Sequence, residues 1–270
     1  MSDRQFIDVN GIRLSYFDYG GSGKPLVALH GHYGCARSLA WLAELLHDRW
    51  RVISLDQRGH GWSDQPEDYS RGAYIADIAG VIEKLDLAPA VVLGHSLGGL
   101  NAYQLAAKRP ELVRALVIED IGAIVPTFPL ATEGWPLRFR NMRQVQDWAM
   151  GKGFKDDTYF QESLVEYLDG WGFRFDYDRI DRSTRQIAGD WWQDWLGSKC
   201  PALLLHGHRS WVLDTDHARE MVARRPNTKL AEFPDCGHTI HDEGPEEFYR
   251  TVDEFLGELI NKAHDNWVVG

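Results

Sequence analysis

Residues 90–110 read AVVLGHSLGGLNAYQLAAKRP, and no other stretch constrains the fold as tightly. A strand-length apolar run ends in a serine bracketed by glycines. A helical pattern starts with no loop between them and stops at Pro110. A strand that turns straight into a helix belongs to a layered α/β architecture, and the rest of the chain repeats the order. PLVALHG (25–31) precedes SLAWLAELLHD (38–48), and RVISLDQRGHG (51–61) precedes YIADIAGVIEKLDL (74–87). ALVIED (115–120) is a fourth run; PALLLHG (201–207) leads to DHAREMVARRP (216–226), and TKLAEFPDCGH (228–238) to PEEFYRTVDEFLGELINKA (245–263). Such alternation predicts a doubly wound, mostly parallel sheet with helices on both faces. Ahead of it, FIDVNGIRLSYFDYG (6–20) holds two alternating runs about Asn10-Gly11, which predicts an N-terminal antiparallel hairpin.

The alternation lapses between Ile121 and Ser198. This stretch lacks a strand-like apolar run but carries six of the 11 Trp, at 135, 148, 171, 191, 192 and 195. It reads as short helices with polar joints: a helical lid (cap) insert of residues 121–198 in a core built from 1–120 and 199–270. A formal charge of −11 argues against nucleic acid or an anionic membrane as a partner, since both select a basic face. Cys35, Cys200 and Cys236 lie far apart with no CxxC spacing, which fits a reducing, cytoplasmic setting and offers no zinc knuckle. No run approaches the roughly 18 apolar residues of a membrane span, and MSDRQFIDVNG has charges where a signal peptide needs an apolar stretch.

In open α/β sheets, ligands sit beyond the carboxyl ends of the strands. GHSLG (94–98) is a G-x-S-x-G at such an end, between a strand and a helix. The turn lifts the Ser96 hydroxyl to the N-terminus of the following helix, which favours both an attacking oxygen and a developing oxyanion. Ser96 is therefore the candidate nucleophile. The pairs His30/His32, His206/His208 and His238/His241 look like metal ligands. Glycine interrupts the strand ends of the first two pairs, however, and HTIH (238–241) does not form the i,i+4 helical pair of HExxH, so no metal is expected, and no cofactor is either.

The chain resembles the α/β-hydrolase superfamily over nearly its whole length. The hairpin, HGHYG (30–34), DQRGHGWSD (56–64), GHSLGG (94–99) and GHTIHDEGP (237–245) follow that family's order. The resemblance implies the α/β-hydrolase fold, a lid inserted after the sixth strand, and a histidine base on the loop after the last strand. That base is His238, with His241 as the decoy three residues on. His95 is expected to point away into the sheet's flank. The resemblance also assigns the oxyanion hole to the backbone amides of His32 and Leu97. Beside them His32, Tyr33, Trp135, Trp191 and Trp192 are the substrate-pocket candidates, although lid tryptophans equally serve as the lid's own core. DQRGHGWSD is structural, with Asp56 and Arg58 tying turns together.

The activity this implies is a serine hydrolase cleaving a carboxylic ester or related acyl compound through an acyl-enzyme on Ser96. The same scaffold also serves lactonases, C–C bond hydrolases, cofactor-free oxygenases and receptors that bind a small molecule without turning it over. The expected partner is a small-molecule ester or lactone with an apolar or aromatic group, and the expected state a monomer or small homo-oligomer.

The third member is less plain, because a base that gains a proton needs a carboxylate behind it. In much of the superfamily that acid lies three residues past the glycine in LLLHGHRSWVLD (203–214), where this chain has Ser210. Asp214 and Asp216 follow, but at a helix start, where Asp is equally a cap. Asp120 ends ALVIED, and a minority of the family, including some esterases and the cofactor-free dioxygenases, keep the acid there; EDIGAIVP (119–126) looks like that arrangement. Asp120 is the preferred acid. Asp214, Asp216, Glu119 (which should face the other side of the strand) and no acid at all stay open.

Overall fold

The computed structural model describes residues 2–127, 132–152, 154 and 158–265. Strands β1 (Arg4–Val9) and β2 (Ile12–Asp18) form the antiparallel hairpin. Asn10 and Gly11 between them have φ of 52° and 79°, the left-handed pair that matches the natural twist of a two-residue hairpin. Six further strands follow: β3 (Lys24–Leu29), β4 (Trp50–Asp56), β5 (Ala90–His95), β6 (Val113–Glu119), β7 (Ala202–Gly207) and β8 (Thr228–Phe233). They complete one eight-stranded sheet in the order β1-β2-β4-β3-β5-β6-β7-β8, parallel except where β2 meets β1 and β4.

Burial on both faces explains why the central strands read as unbroken apolar runs. Every residue of β5 and of β7 is buried. On one face Val92, Leu116 and Leu204 pack with α2 (Arg71–Lys84) and α3 (Leu97–Lys108) through Ile78, Ile82, Leu100 and Tyr103. On the other, Val91, Leu93, Val117 and Leu205 meet Leu42 and Leu46 of α1 (Ala40–Leu46), Phe248 and Val252. The sheet is doubly wound, as its alternation predicts.

The 121–198 segment departs from the all-helical reading. Its described residues hold the helices Met142–Gly151, Thr158–Gln161, Tyr177–Ile187 and Trp192–Leu196, but also an antiparallel hairpin, Leu164–Tyr167 with Gly170–Phe173. Each strand is four residues long, too short for its alternation to stand out. The local signal was Asp169-Gly170, with Gly170 at a φ of 135°. A second small ladder pairs Ile124–Val125 with Gly189–Asp190, so the two ends of the segment are bound to each other where they leave the sheet. Within it, Phe139, Val145, Phe160, Phe173 and Ile180 form a separate core. Residues 128–131, 153 and 155–157 of this segment, and 266–270 of the C-terminal span, lie outside the described residues.

Candidate active site

At Ser96, β5 turns into α3 with φ 51° and ψ −114°, a strained conformation for a residue with a side chain. A Cβ at Gly94 would stand 2.2 Å from the Gly98 carbonyl oxygen, and one at Gly98 2.2 Å from that of Leu29. Only glycine fits either side of the serine. The Leu97 amide then opens α3, in the first turn where N–H groups have no intrahelical acceptor. Leu29 pairs with Gly94 in the sheet, so the HGHYG loop leaves the neighbouring strand end beside the turn, where the His30 carbonyl oxygen would lie 2.8 Å from a Cβ at Gly98.

His95 pairs with Glu119 in the β5–β6 ladder, so Ser96 and Asp120 leave adjacent strand ends. Asp120 is fully buried and left-handed, with φ 51°. The loop after β8 folds back over the end of β7: the Arg209 amide donates to the Cys236 carbonyl at 2.9 Å, and a Cβ at Gly207 would lie 2.1 Å from the Gly237 oxygen. That close approach delivers His238, whose Nδ1 lies 2.8 Å from Asp120 Oδ2. Nδ1–H is thereby committed to the carboxylate, which leaves Nε2 as the proton-accepting nitrogen.

Three more donors serve the same carboxylate. Ser210 Oγ donates to Oδ2, while His206 Nδ1 at 3.3 Å and the Gly207 amide at 3.2 Å face Oδ1. Burial pushes the Asp120 carboxyl up, but the hydrogen bonds from His206, His238 and Ser210 outweigh it and hold the group below the usual carboxylate range. Asp214 is occupied elsewhere, since its Oδ1 caps the helix Thr215–Arg224 by accepting from the amides of Asp216 at 2.9 Å and His217 at 3.3 Å. Asp216 lies in the first turn of that helix.

Glu119 faces away from Asp120 and meets His241, with Nδ1 2.8 Å from Oε1 and the His241 amide donating to Oε1 at 2.9 Å. His95 does not leave for the flank. It is fully buried, its Nε2 donates to the His238 carbonyl at 3.0 Å, and its ring centre is 5.0 Å from that of His241. His95, Glu119 and His241 are, among the described residues, a trio whose ligand atoms lie within 4.8 Å of one another, but both Glu119 oxygens already face the His241 ring. The three histidine pairs of the sequence separate. His30 binds the Gln57 amide, His32 Ser183, His206 Asp120, His208 Glu232, His238 Asp120 and His241 Glu119.

The Glu119–His241 pair carries a pH prediction. Burial opposes a charge on His241, but Glu119 and Asp242 outweigh it and raise its pKa to about 9. A histidine raised above its unfolded value of about 6.5 stabilises fully below that pH, and its contribution is lost as pH rises through about 9. Parent Tm is therefore expected to decline between roughly pH 7 and 9.5. Glu119→Gln should lower stability at pH 6.5 by about 3–5 kcal/mol, as breaking one side of a buried pair does, and flatten that alkaline decline. An unchanged decline in the variant would remove the pair as its source.

The pocket candidates divide. The His32 Nε2 lies 2.8 Å from Ser183 Oγ, which meets Tyr74 OH at 2.7 Å. Burial, then the charges of Arg71, His30 and His238, push His32 down to about 3, so it is a neutral ring. Tyr33 packs at a tilt against Trp135 (ring centres 4.9 Å apart) and Phe175 (5.7 Å), joining the HGHYG loop to the aromatic core of the 121–198 segment. Trp191 and Trp192 belong instead to the main core, where Arg224 covers the Trp192 ring at 3.6 Å, because their helix is the one that returns to the sheet. Sequence reasoning missed Ser210 and His206 as partners of the Asp120 carboxylate. It also passed over Trp211, 69% exposed, whose ring centre is 5.7 Å from that of His238.

A strained serine turn, a carboxylate-bound histidine on the last loop and an eight-stranded sheet define a class of protein. Residues 24–245 match the family model described as alpha/beta hydrolase fold, and the chain belongs to that family. Its curated relatives include hydrolases. The chain is 27% identical to the sn-1-specific diacylglycerol lipase ABHD11 of Mus musculus, over 94% of this chain and 89% of that protein. It is 28% identical to the 2-(acetamidomethylene)succinate hydrolase of Mesorhizobium japonicum, over 93% and 94%. A crystal structure of E-2-(acetamidomethylene)succinate hydrolase superposes with a TM-score of 0.87 at 25% identity, covering 95% of this chain and all of that one. Among the described residues, no helix is long and apolar enough to cross a membrane.

Proposed function

We propose that the chain is a serine hydrolase of carboxylic esters, with Ser96 as nucleophile, His238 as base and Asp120 as acid. The observation that carries this reading is the 2.8 Å contact of His238 Nδ1 with Asp120, one strand end from the Ser96 turn. His238 Nε2 takes the Ser96 proton as Oγ attacks the ester carbonyl, and the amides of His32 and Leu97 receive the oxyanion. The tetrahedral adduct expels the alcohol, which takes its proton from His238, and leaves an acyl-Ser96 ester. Water, deprotonated by the same nitrogen, then releases the acid. An oxyanion donor of this kind is worth about 3–4 kcal/mol of barrier.

Residues 121–198 act as a lid over this site, core residues 1–120 and 199–270 holding the machinery. Hydrogen bonds from Tyr159 OH to the His32 carbonyl, and from Arg174 to the Gly61 carbonyl at 2.9 Å, support that placement. The partner is a small-molecule acyl compound. The three unpaired cysteines support a cytoplasmic setting.

A panel of p-nitrophenyl esters, lactones and diketones, run beside an organophosphonate, tests the reading. Ester turnover and a single adduct at Ser96 are expected. Labelling elsewhere, consumption of dioxygen without an acyl-enzyme, or ligand-induced melting shifts without turnover would replace it by the oxygenase or receptor alternatives.

A further inference from the structure

Arg71 opens α2 and is 8% exposed. Its Nε donates to Gln104 Oε1 at 3.0 Å and its Nη2 to Asn101 Oδ1, both neutral amides on α3. Nη1 is buried and has no hydrogen-bond partner among the described residues. Other buried arginines are settled differently. Arg58 pairs with Asp77 at 2.7 Å, and Arg225 has Nε, Nη1 and Nη2 all bonded. Asp194, the carboxylate whose charge Arg71 feels, is held by the Gln104 amide at 2.7 Å instead. A buried cation without a direct counter-charge is costly, and a guanidinium suits a carboxylate better than any other ligand of its size.

The place of this group matters as much as its charge. Asn101, which holds Arg71 Nη2, lies in the second turn of α3, the helix that follows Ser96 directly. The Arg71 guanidinium lies 5.3 Å from the Tyr74 ring centre, and Tyr74 OH, Ser183 and His32 Nε2 form a hydrogen-bonded chain from there toward the oxyanion loop. His32 feels the charges of both Arg71 and His238. The buried chain of Tyr74, Ser183 and His32 therefore connects the Arg71 end of α2 to the HGHYG loop.

We propose that Arg71 binds a carboxylate carried by the substrate, which makes the preferred substrates monoesters of short dicarboxylic acids. This rests on the Ser96 hydrolase reading and names its substrate class. An acyl carbon at Ser96 and a carboxylate at Arg71 must be joined by a chain of several bonds, so glutaric and adipic monoesters are the substrates to compare.

The test compares p-nitrophenyl hemiglutarate and hemiadipate with the neutral pentanoate and hexanoate. The parent is expected to favour the hemiesters by about tenfold or more in kcat/KM, a preference that Arg71→Met abolishes through KM and Arg71→Lys partly keeps. Parity in the parent, or an unchanged ratio in Arg71→Met, overturns the proposal. Ser96-dependent turnover of neutral esters alongside that parity leaves the hydrolase reading standing. If Arg71→Met does not fold, inhibition of the parent decides: glutarate should compete with the neutral esters and glutaramide should not, and equal inhibition overturns the site. If no ester is turned over, the hydrolase reading fails, and calorimetric binding of glutarate to the Ser96→Ala protein, with none for glutaramide, tests the anion site separately.

Discussion

Ser96→Ala, His238→Ala and the double variant are expected to fall to one residual rate, about a millionfold below the parent on p-nitrophenyl butyrate. Removing Oγ removes the bond-forming atom. Removing the imidazole leaves the hydroxyl without a positioned base, because the remaining His95 Nδ1 is buried against Gly31 and the His241 ring is held by Glu119. Once either half is gone, the other has no step to perform, so the second substitution costs nothing further. The folds should survive, since Ser96 and His238 sit at the margin of the core while the Asp120 carboxylate keeps the Ser210, His206 and Gly207 donors. His241→Ala is the control. It breaks the buried pair with Glu119, so it should lower Tm far more than it lowers kcat. Measured rates that multiply across the double variant would mean that Ser96 and His238 act independently, and the mechanism would fall.

What could be read without coordinates follows from how local the cause is. Each central strand is buried on both faces, so its apolar run is a local record of the fold. The Ser96 turn is equally local, because Gly94, Ser96 and Gly98 lie within five residues. Asp120 and His238 were reached through resemblance to a family, and their meeting depends on a loop crossing β7 that no local pattern reports. Ser210 shows the limit most clearly. In sequence it reads as the loss of an acid, whereas in space its hydroxyl donates to the Asp120 carboxylate one strand away and accepts from the amides of Val212 and Leu213. The tryptophans were ambiguous for a different reason. Composition counts them together, but Trp135 packs with the 121–198 segment and Trp192 with the sheet, a choice made by tertiary packing.

Asp120→Asn is expected to cut kcat by about four orders of magnitude while leaving the structure in place, and Asp214→Asn by less than about tenfold. The asparagine is the same size and can still accept from the Gly207 amide. It cannot offset the charge that His238 acquires as Ser96 loses its proton. With its NH2 turned toward His238, it would also force the Nδ1-acceptor tautomer and place a proton on the nitrogen that must receive one. Asp214 has no such contact, and its substitution weakens only a helix cap, where asparagine serves about as well. Ser210→Ala should fall between them, by roughly three- to tenfold, since it removes one of four donors and leaves the carboxylate charged and bound to His238. A crippling Asp214→Asn beside a mild Asp120→Asn would return the acid to the loop after β7. Asp120 would then be a buried anchor that ties the β6 end to His206, Gly207 and Ser210, and the 2.8 Å contact with His238 would be structural.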